Sequence, residues 1–374
     1  MPAAPIDLPI ALNLLWLLPG GVGGSEQYTV GQLRGLDLVA PHLRLTLLAQ
    51  PEFAAACPDL VERHPTLLSA SFGASRLRRV AAESTWLRSV TERVAFTHHP
   101  GGTAPLRARR PYVLTVHDLQ YRQFPHYFSN VKRAWLEAML PRSVRGAAVV
   151  TVPTDFVRTT VIDAWSIEPE RVKVVPHGFD PLDPSSPEPT PESVLRERYR
   201  LGPGPVLVYP AVTNPHKNHR FLVEMMETHW RHPDLRLVFI GGVGSAEAEA
   251  GSSDPRVVRL GRVSDAERDG LLRMAEALVF PSQYEGFGAP LVEAMALGCP
   301  VVCADTACLP EVAGDAALVR PLTVDGWAGV LDDVGSRREQ LVAAGFARAA
   351  TFSLANSGAA LASVYAGMHG ELAS

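Results

Sequence analysis

Short apolar blocks punctuate the first half of the chain at 10–18, 43–48, 94–97, 112–116, 148–152 and 172–175. They are rich in Val, Ile and Leu and too short for core helices, which suits strands buried on both faces. Between several of them the apolar positions return with helical spacing, predicting helices at 26–38 and 131–144. Alternation of this kind argues for a parallel sheet with helices on both faces.

The pattern then stops. DPLDPSSPEPTPES, at 180–193, holds five prolines and almost nothing apolar, the composition of an exposed, semi-extended linker. Beyond it the alternation restarts. Strands are predicted at 206–209, 236–240, 257–259, 277–280, 301–303 and 317–319, and helices at 220–230, 265–275, 290–296, 324–331 and 338–349. The expected architecture is α/β, with two doubly wound domains at 1–180 and 181–352. In such sheets ligands bind beyond the carboxyl ends of the strands, so a cleft between the domains is the natural site.

Composition narrows the picture. A chain of 374 residues exceeds what one core usually serves, and 47% hydrophobic against 20% charged residues excludes a disordered chain. The net charge of −4 argues against general nucleic-acid binding. Residues 1–180 carry 19 Lys+Arg and 15 Asp+Glu, and much of that excess is arginine at 76, 78, 79, 88, 93, 107, 109 and 110. A solvated face explains it most simply; the alternative is a patch for an anionic acceptor or an anionic membrane surface, contacted through the N-terminal domain. Four cysteines lacking a paired C-x-x-C spacing read as small apolar core residues. The apolar start is interrupted by Asn13, is too short to span a bilayer and has no basic residue before it, so a cytoplasmic protein is expected.

The richest chemistry lies in YEGFGAPLVEAMALGCPVV, 284–302. Glycines at 286 and 288 let the backbone approach a ligand, and Pro290 suits a helix start. The amides of Gly286, Phe287 and Gly288 would lie at that helix's positive end, where phosphate is favoured. Glu293, one turn in, can accept hydrogen bonds from ribose hydroxyls, and Glu285 from hydroxyls of a sugar beyond the phosphates. PAVTNPHKNH, 210–219, follows a strand and precedes a helix, so Lys217 can meet a diphosphate as it leaves, with His216 beside it. LLPGGVGGSEQY, 17–28, fails as a dinucleotide fingerprint: counted from Gly21, Glu26 stands where Gly or Ala belongs. His117 in TVHDL falls at a strand end, with Asp118 as an acceptor contact. His98 and His99 point to opposite faces of a strand and make a poor metal pair. With no D-x-D stretch either, no catalytic metal and no cofactor are expected.

E-G-F-G-A-P-L-V-E resembles the E-x7-E motif of retaining GT-B glycosyltransferases, and its surroundings resemble glycosyltransferase family 4. The resembling segments include 260–282, 296–318, VVPHGFD at 174–180 and 352–368. The resemblance implies two Rossmann-like domains facing across a cleft, with 353–374 a last helix that crosses back to the first. It implies donor contacts at Gly23, Gly24, His216, Arg262, Val263, Gly286, Phe287, Gly288, Leu291 and Glu293. It implies catalytic roles for His117, Lys217 and Glu285. An arginine usual in the family six positions before the lysine is Ala211 here. The implied reaction is retaining transfer of a hexose from a nucleotide diphosphate sugar, GDP-mannose first, to a glycan, lipid-linked or small-molecule acceptor by front-face substitution. A nucleotide-sugar epimerase or a non-catalytic sugar-binding protein are the alternatives.

Overall fold

The computed structural model describes residues 8–179 apart from positions 22 and 110, and residues 187–373. Arg110 of the arginine set and 180–186 of the Pro-rich segment lie outside the described residues. The chain forms two compact units, one of 1–178 with 353–374 and one of 179–352.

The first unit is built on β1 (Ile10–Asn13), β2 (Leu45–Ala49), β3 (Thr66–Leu68), β4 (Thr97–His99), β5 (Tyr112–Thr115), β6 (Val149–Val152) and β7 (Val172–Val174). All pairings are parallel, in the order β3-β2-β1-β4-β5-β6-β7. The order reverses between β1 and β4, so the loops after those strands diverge and leave a crevice at their carboxyl ends. One core packs Leu12, Leu33, Leu36 and Val113 with Leu361 and Tyr365 of the last helix, Leu354–Ala373. That helix lies against the first, Gly24–Val39, at a crossing of two glycines: a Cβ on Gly35 would fall 2.2 Å from the Leu354 carbonyl oxygen, and one on Gly358 2.2 Å from the Gly35 carbonyl carbon.

The second unit carries β8 (Val206–Pro210), β9 (Arg236–Ile240), β10 (Val257–Gly261), β11 (Ala277–Phe280), β12 (Val301–Ala304) and β13 (Leu318–Arg320), again all parallel. The order is β10-β9-β8-β11-β12-β13, and the switch point lies between β8 and β11. Both units are Rossmann-like, as the alternation predicts.

The differences from the predicted elements are local. The strand expected over 10–18 ends at Asn13, whose side-chain oxygen accepts from the Leu15 amide at 3.2 Å and turns the chain. Leu14, Leu15 and Leu17 stay fully buried, so a buried turn imitates a long strand. The strand expected at 94–97 lies at Thr97–His99, with Val94 and Phe96 buried in its lead-in. The edge strand β3 and the helix Asp155–Trp165 are additions. The end of the predicted linker is already helix from Glu192, and the two helices expected at 324–331 and 338–349 are Val324–Ala328 and Val330–Ala350.

Candidate functional site

The loops after β8 and β11 flank the switch point of the second unit, and they carry the two charged residues singled out in the sequence. Pro215 opens a single 3-10 turn, Pro215–Lys217, and Asn218 takes a left-handed conformation (φ 55°) that starts the helix His219–Thr228. This tight corner leaves Lys217 at the loop's edge with its ammonium 5.5 Å above the Phe280 ring. Its Nζ donates to Glu285 Oε1 at 2.6 Å. Only 18% and 13% of the two side chains is exposed, so the pair is largely shielded from solvent. Backbone bonds join the loops as well: the Gln283 amide donates to the His216 carbonyl at 2.8 Å. Burial, with the adjacent Lys217 charge, pushes His216 down to about 4, so it stands neutral near pH 7.

Gly288 (φ 84°) ends the β11 loop and precedes the helix Ala289–Ala296. The positive φ favours glycine there, and a Cβ would in addition force Leu309 Cδ2, 2.8 Å away, to shift. The neighbouring Phe287 packs edge-to-face on Phe352 at 5.3 Å between centroids. Glu293 sits on the helix's second turn and is buried. Burial raises its pKa above the ordinary carboxylate value; Arg268 opposes that rise, and Asp269 and Asp265 reinforce it. Leu291 is fully buried, which leaves only its backbone for a ligand. Arg262 and Val263 follow β10, and the Arg262 guanidinium lies against Gly242, where a Cβ would come to 3.1 Å of its Nε.

In the first unit Gly23 (φ 64°) precedes the first helix, and Gly24 begins it. Glu26 turns back on its own loop, its carboxylate oxygens accepting from the Gly20 amide at 3.1 and 2.9 Å. The acid that spoils a dinucleotide fingerprint thus braces the loop instead. His117 follows β5 and packs between Trp16 and Tyr28, at 6.2 and 5.2 Å between centroids. Its Nε2 lies 2.7 Å from the Pro100 carbonyl oxygen, which assigns the proton to Nε2 and leaves Nδ1 as an acceptor. Burial pushes His117 down to about 4. Asp118 Oδ1 accepts from the Gln120 amide at 2.9 Å, fixing the turn after β5.

His98 and His99 do face opposite ways. His98 is bonded to Tyr365 at 2.7 Å and Thr115 at 2.8 Å, and His99 to Asn13 at 3.3 Å and Thr97 at 3.2 Å. The four cysteines are buried and unpaired with one another. Among the described residues no three His, Cys, Asp or Glu side chains converge as a metal-ligand set, and no helix is long and apolar enough to cross a membrane.

Sequence reasoning did not single out His177, which packs on Tyr28 at 5.6 Å and is pushed down to about 4 by burial. It also did not name Tyr209, Ser282 and Thr306, whose hydroxyl contacts join loops distant in sequence, nor Arg268, whose charge reaches Glu293. The histidine of VVPHGFD was a visible signal; the others gave none.

Two family models match the chain: Glycosyltransferase Family 4 over residues 22–181, and Glycosyl transferases group 1 over residues 194–343. The O-antigen chain mannosyltransferase B of Escherichia coli is 32% identical over 278 residues, 69% of this chain and 71% of that protein. The chain belongs to the family 4 glycosyltransferases. A second relative of this glycosyltransferase is a GDP-mannose-dependent alpha-(1-6)-phosphatidylinositol monomannoside mannosyltransferase of Mycobacterium tuberculosis. It is 27% identical over 318 residues, 77% of this chain and 78% of that protein. Among solved structures, Anabaena HepE in complex with UDP and glucose aligns over 96% of this chain and 100% of its own, with a TM-score of 0.72 at 18% identity. The glycosyltransferase therefore has the GT-B fold.

Proposed function

We propose that the chain is a retaining mannosyltransferase that uses GDP-mannose and makes an α-linked product. The observation that carries this reading is the Lys217–Glu285 pair at the switch point, one loop from the helix that buries Glu293. The ammonium offers charge to a diphosphate. The carboxylate accepts from sugar hydroxyls. The Gly286, Phe287 and Gly288 amides and the helix dipole add to phosphate binding, and Glu293 takes the ribose hydroxyls. The mannosyl relatives in Escherichia coli and Mycobacterium tuberculosis support the sugar.

In the reaction the bond from the anomeric carbon to the diphosphate oxygen breaks. The acceptor oxygen bonds to the same face of that carbon, and its proton passes to the departing phosphate. Lys217 and the loop amides stabilise the charge that grows on the leaving group. His117 and Asp118 are assigned to sugar and acceptor contact. No metal is required in this scheme.

The acceptor reading extends to an anionic surface met by the first unit in the cytoplasm. Arg76, Arg78 and Arg133 are exposed, as are Leu77 (85%) and Val131 (80%). Arg76 lies 5.1 Å over the Trp135 ring, which brings the helices Arg76–Ser84 and Asn130–Gly146 together, and neither has an acid in its first turn. Cations beside apolar side chains suit a peripheral lipid contact.

The test is a reaction of GDP-mannose with lipid-linked and soluble glycan acceptors, the product anomer read by NMR. An α-mannoside formed without added magnesium supports the proposal. A β-product removes retention. Consumption of donor with no acceptor present turns the reading to an epimerase.

A further inference from the structure

One phenol touches both loops that present Lys217 and Glu285, a backbone carbonyl in the first and a side-chain hydroxyl in the second. Tyr209, in β8, is wholly buried. Its hydroxyl donates to the Lys217 carbonyl at 2.6 Å and lies 3.1 Å from Ser282 Oγ. Ser282 begins the loop that carries Glu285, and its own carbonyl accepts from Thr306 Oγ1, after β12, at 2.6 Å. Asn218 Nδ2 reaches the Pro281 carbonyl at 3.5 Å, and the Cys308 thiol reaches the Glu285 carbonyl at 3.2 Å. Three loops, after β8, β11 and β12, are thereby tied into one hydrogen-bonded set, in which the Tyr209 hydroxyl bridges the first two beside the Gln283–His216 and Asn218–Pro281 bonds.

The ring makes the same point. Tyr209 packs edge-to-face on Phe280 at 5.5 Å, and the other side of the arrangement is Lys217 Nζ, also 5.5 Å from that ring. A phenylalanine at 209 would fill the core equally well. The hydroxyl adds a polar group that must be satisfied on burial, and its partners are found in the two loops rather than in the sheet. Desolvation raises the Tyr209 pKa well above the usual value, so the group stays a neutral donor.

We propose that Tyr209 is a positioning residue of the donor site: its hydroxyl anchors the Lys217 backbone against the Ser282 end of the neighbouring loop, so that ammonium and carboxylate are already in place for a diphosphate sugar. This rests on the donor-site reading of Lys217 and Glu285. A small misplacement of such groups costs on the order of 100-fold in rate.

The experiment is Tyr209→Phe, with circular dichroism and Tm as folding controls. With GDP-mannose, kcat is expected to fall about tenfold or more, while GDP affinity, set chiefly by Glu293 and the loop amides, changes less than about threefold. In a Lys217→Met background the same substitution should cost less than about twofold, because it acts through Lys217. Ser282→Ala keeps the bond to Lys217 and should lose less than Tyr209→Phe. A crystal structure of the variant needs no substrate: the Lys217 Nζ–Glu285 Oε1 contact should open beyond hydrogen-bond range. A contact unchanged at 2.6 Å, a wild-type kcat, or an equal loss in both backgrounds each makes Tyr209 a core residue only. Wild-type turnover by Lys217→Met alone overturns the donor-site reading itself, and the role of Tyr209 with it.

Discussion

Lys217 and Glu285 stand 68 residues apart in sequence, yet their Nζ and Oε1 atoms meet at 2.6 Å across two loops. Each charge neutralises the other, so a ligand that engages both must be zoned: anionic toward the lysine, rich in hydroxyls toward the glutamate. A sugar diphosphate has that arrangement.

Lys217→Met and Glu285→Gln should each lower kcat by about 10²–10³, the usual loss when one preorganised charge is removed from a leaving-group site. The double variant should be little worse than either single one, because both serve one arrangement. Steady-state rates on the three proteins check this. Losses that multiply would mean that the two residues act separately.

The role proposed for Glu293 predicts a pH dependence of nucleotide binding. Burial lifts its pKa, so it takes up a proton at a higher pH than an exposed glutamate does. In the role proposed for it, the ionised form accepts from ribose hydroxyls, so GDP affinity should fall on acidification, and Arg268→Gln should move that fall to higher pH. Calorimetric titrations between about pH 8 and about pH 5 read both effects.

Buried histidines make the fold acid-sensitive. Burial holds His98 and His99 down to about 3, against an ordinary 6.5. As pH falls below the ordinary value, the unfolded chain gains protons that the folded one refuses, so stability present above about 6.5 is lost progressively toward 3. Each such histidine removes on the order of 2 kcal/mol by about pH 5. Tm should therefore drop between about pH 7 and about pH 5, less steeply for His98→Gln; a flat profile would contradict the burial of these rings.

The basic and apolar surface of the first unit should bind vesicles. Sedimentation with phosphatidylglycerol vesicles should retain the protein at low salt and release it as salt rises, and Arg76→Glu with Arg133→Glu should abolish retention. Equal binding to phosphatidylcholine would exclude recognition of an anionic surface, and binding to neither would exclude the lipid contact.

Most of the scaffold was legible because the central strands of both sheets are buried on both faces. Block 277–280 is apolar throughout and 236–240 is apolar after Arg236, and both are strands with those bounds. The edge strand β3 was not legible: it has three residues, two of them exposed, and little pattern to read. The helix Asp155–Trp165 is rich in β-branched residues, which obscured its period, although Thr154 caps it as a helix start requires. The residues of the candidate site could be named from strand ends, glycines and charge. Their pairing could not, because the contact of Lys217 with Glu285 and the tie through Tyr209 come from strand order, which local pattern does not encode.

The most direct measurement is a calorimetric panel of GDP, UDP, dTDP and ADP against the wild-type chain and Glu293→Ala, without metal and then with magnesium. The expected result is preferential binding of GDP without metal, weakened by Glu293→Ala by about tenfold or more, the loss of hydrogen bonds to a charged group. Binding of another nucleotide in its place would change the donor and keep the site. No binding of any of the four, with or without magnesium, would contradict a nucleotide-sugar site in the second unit.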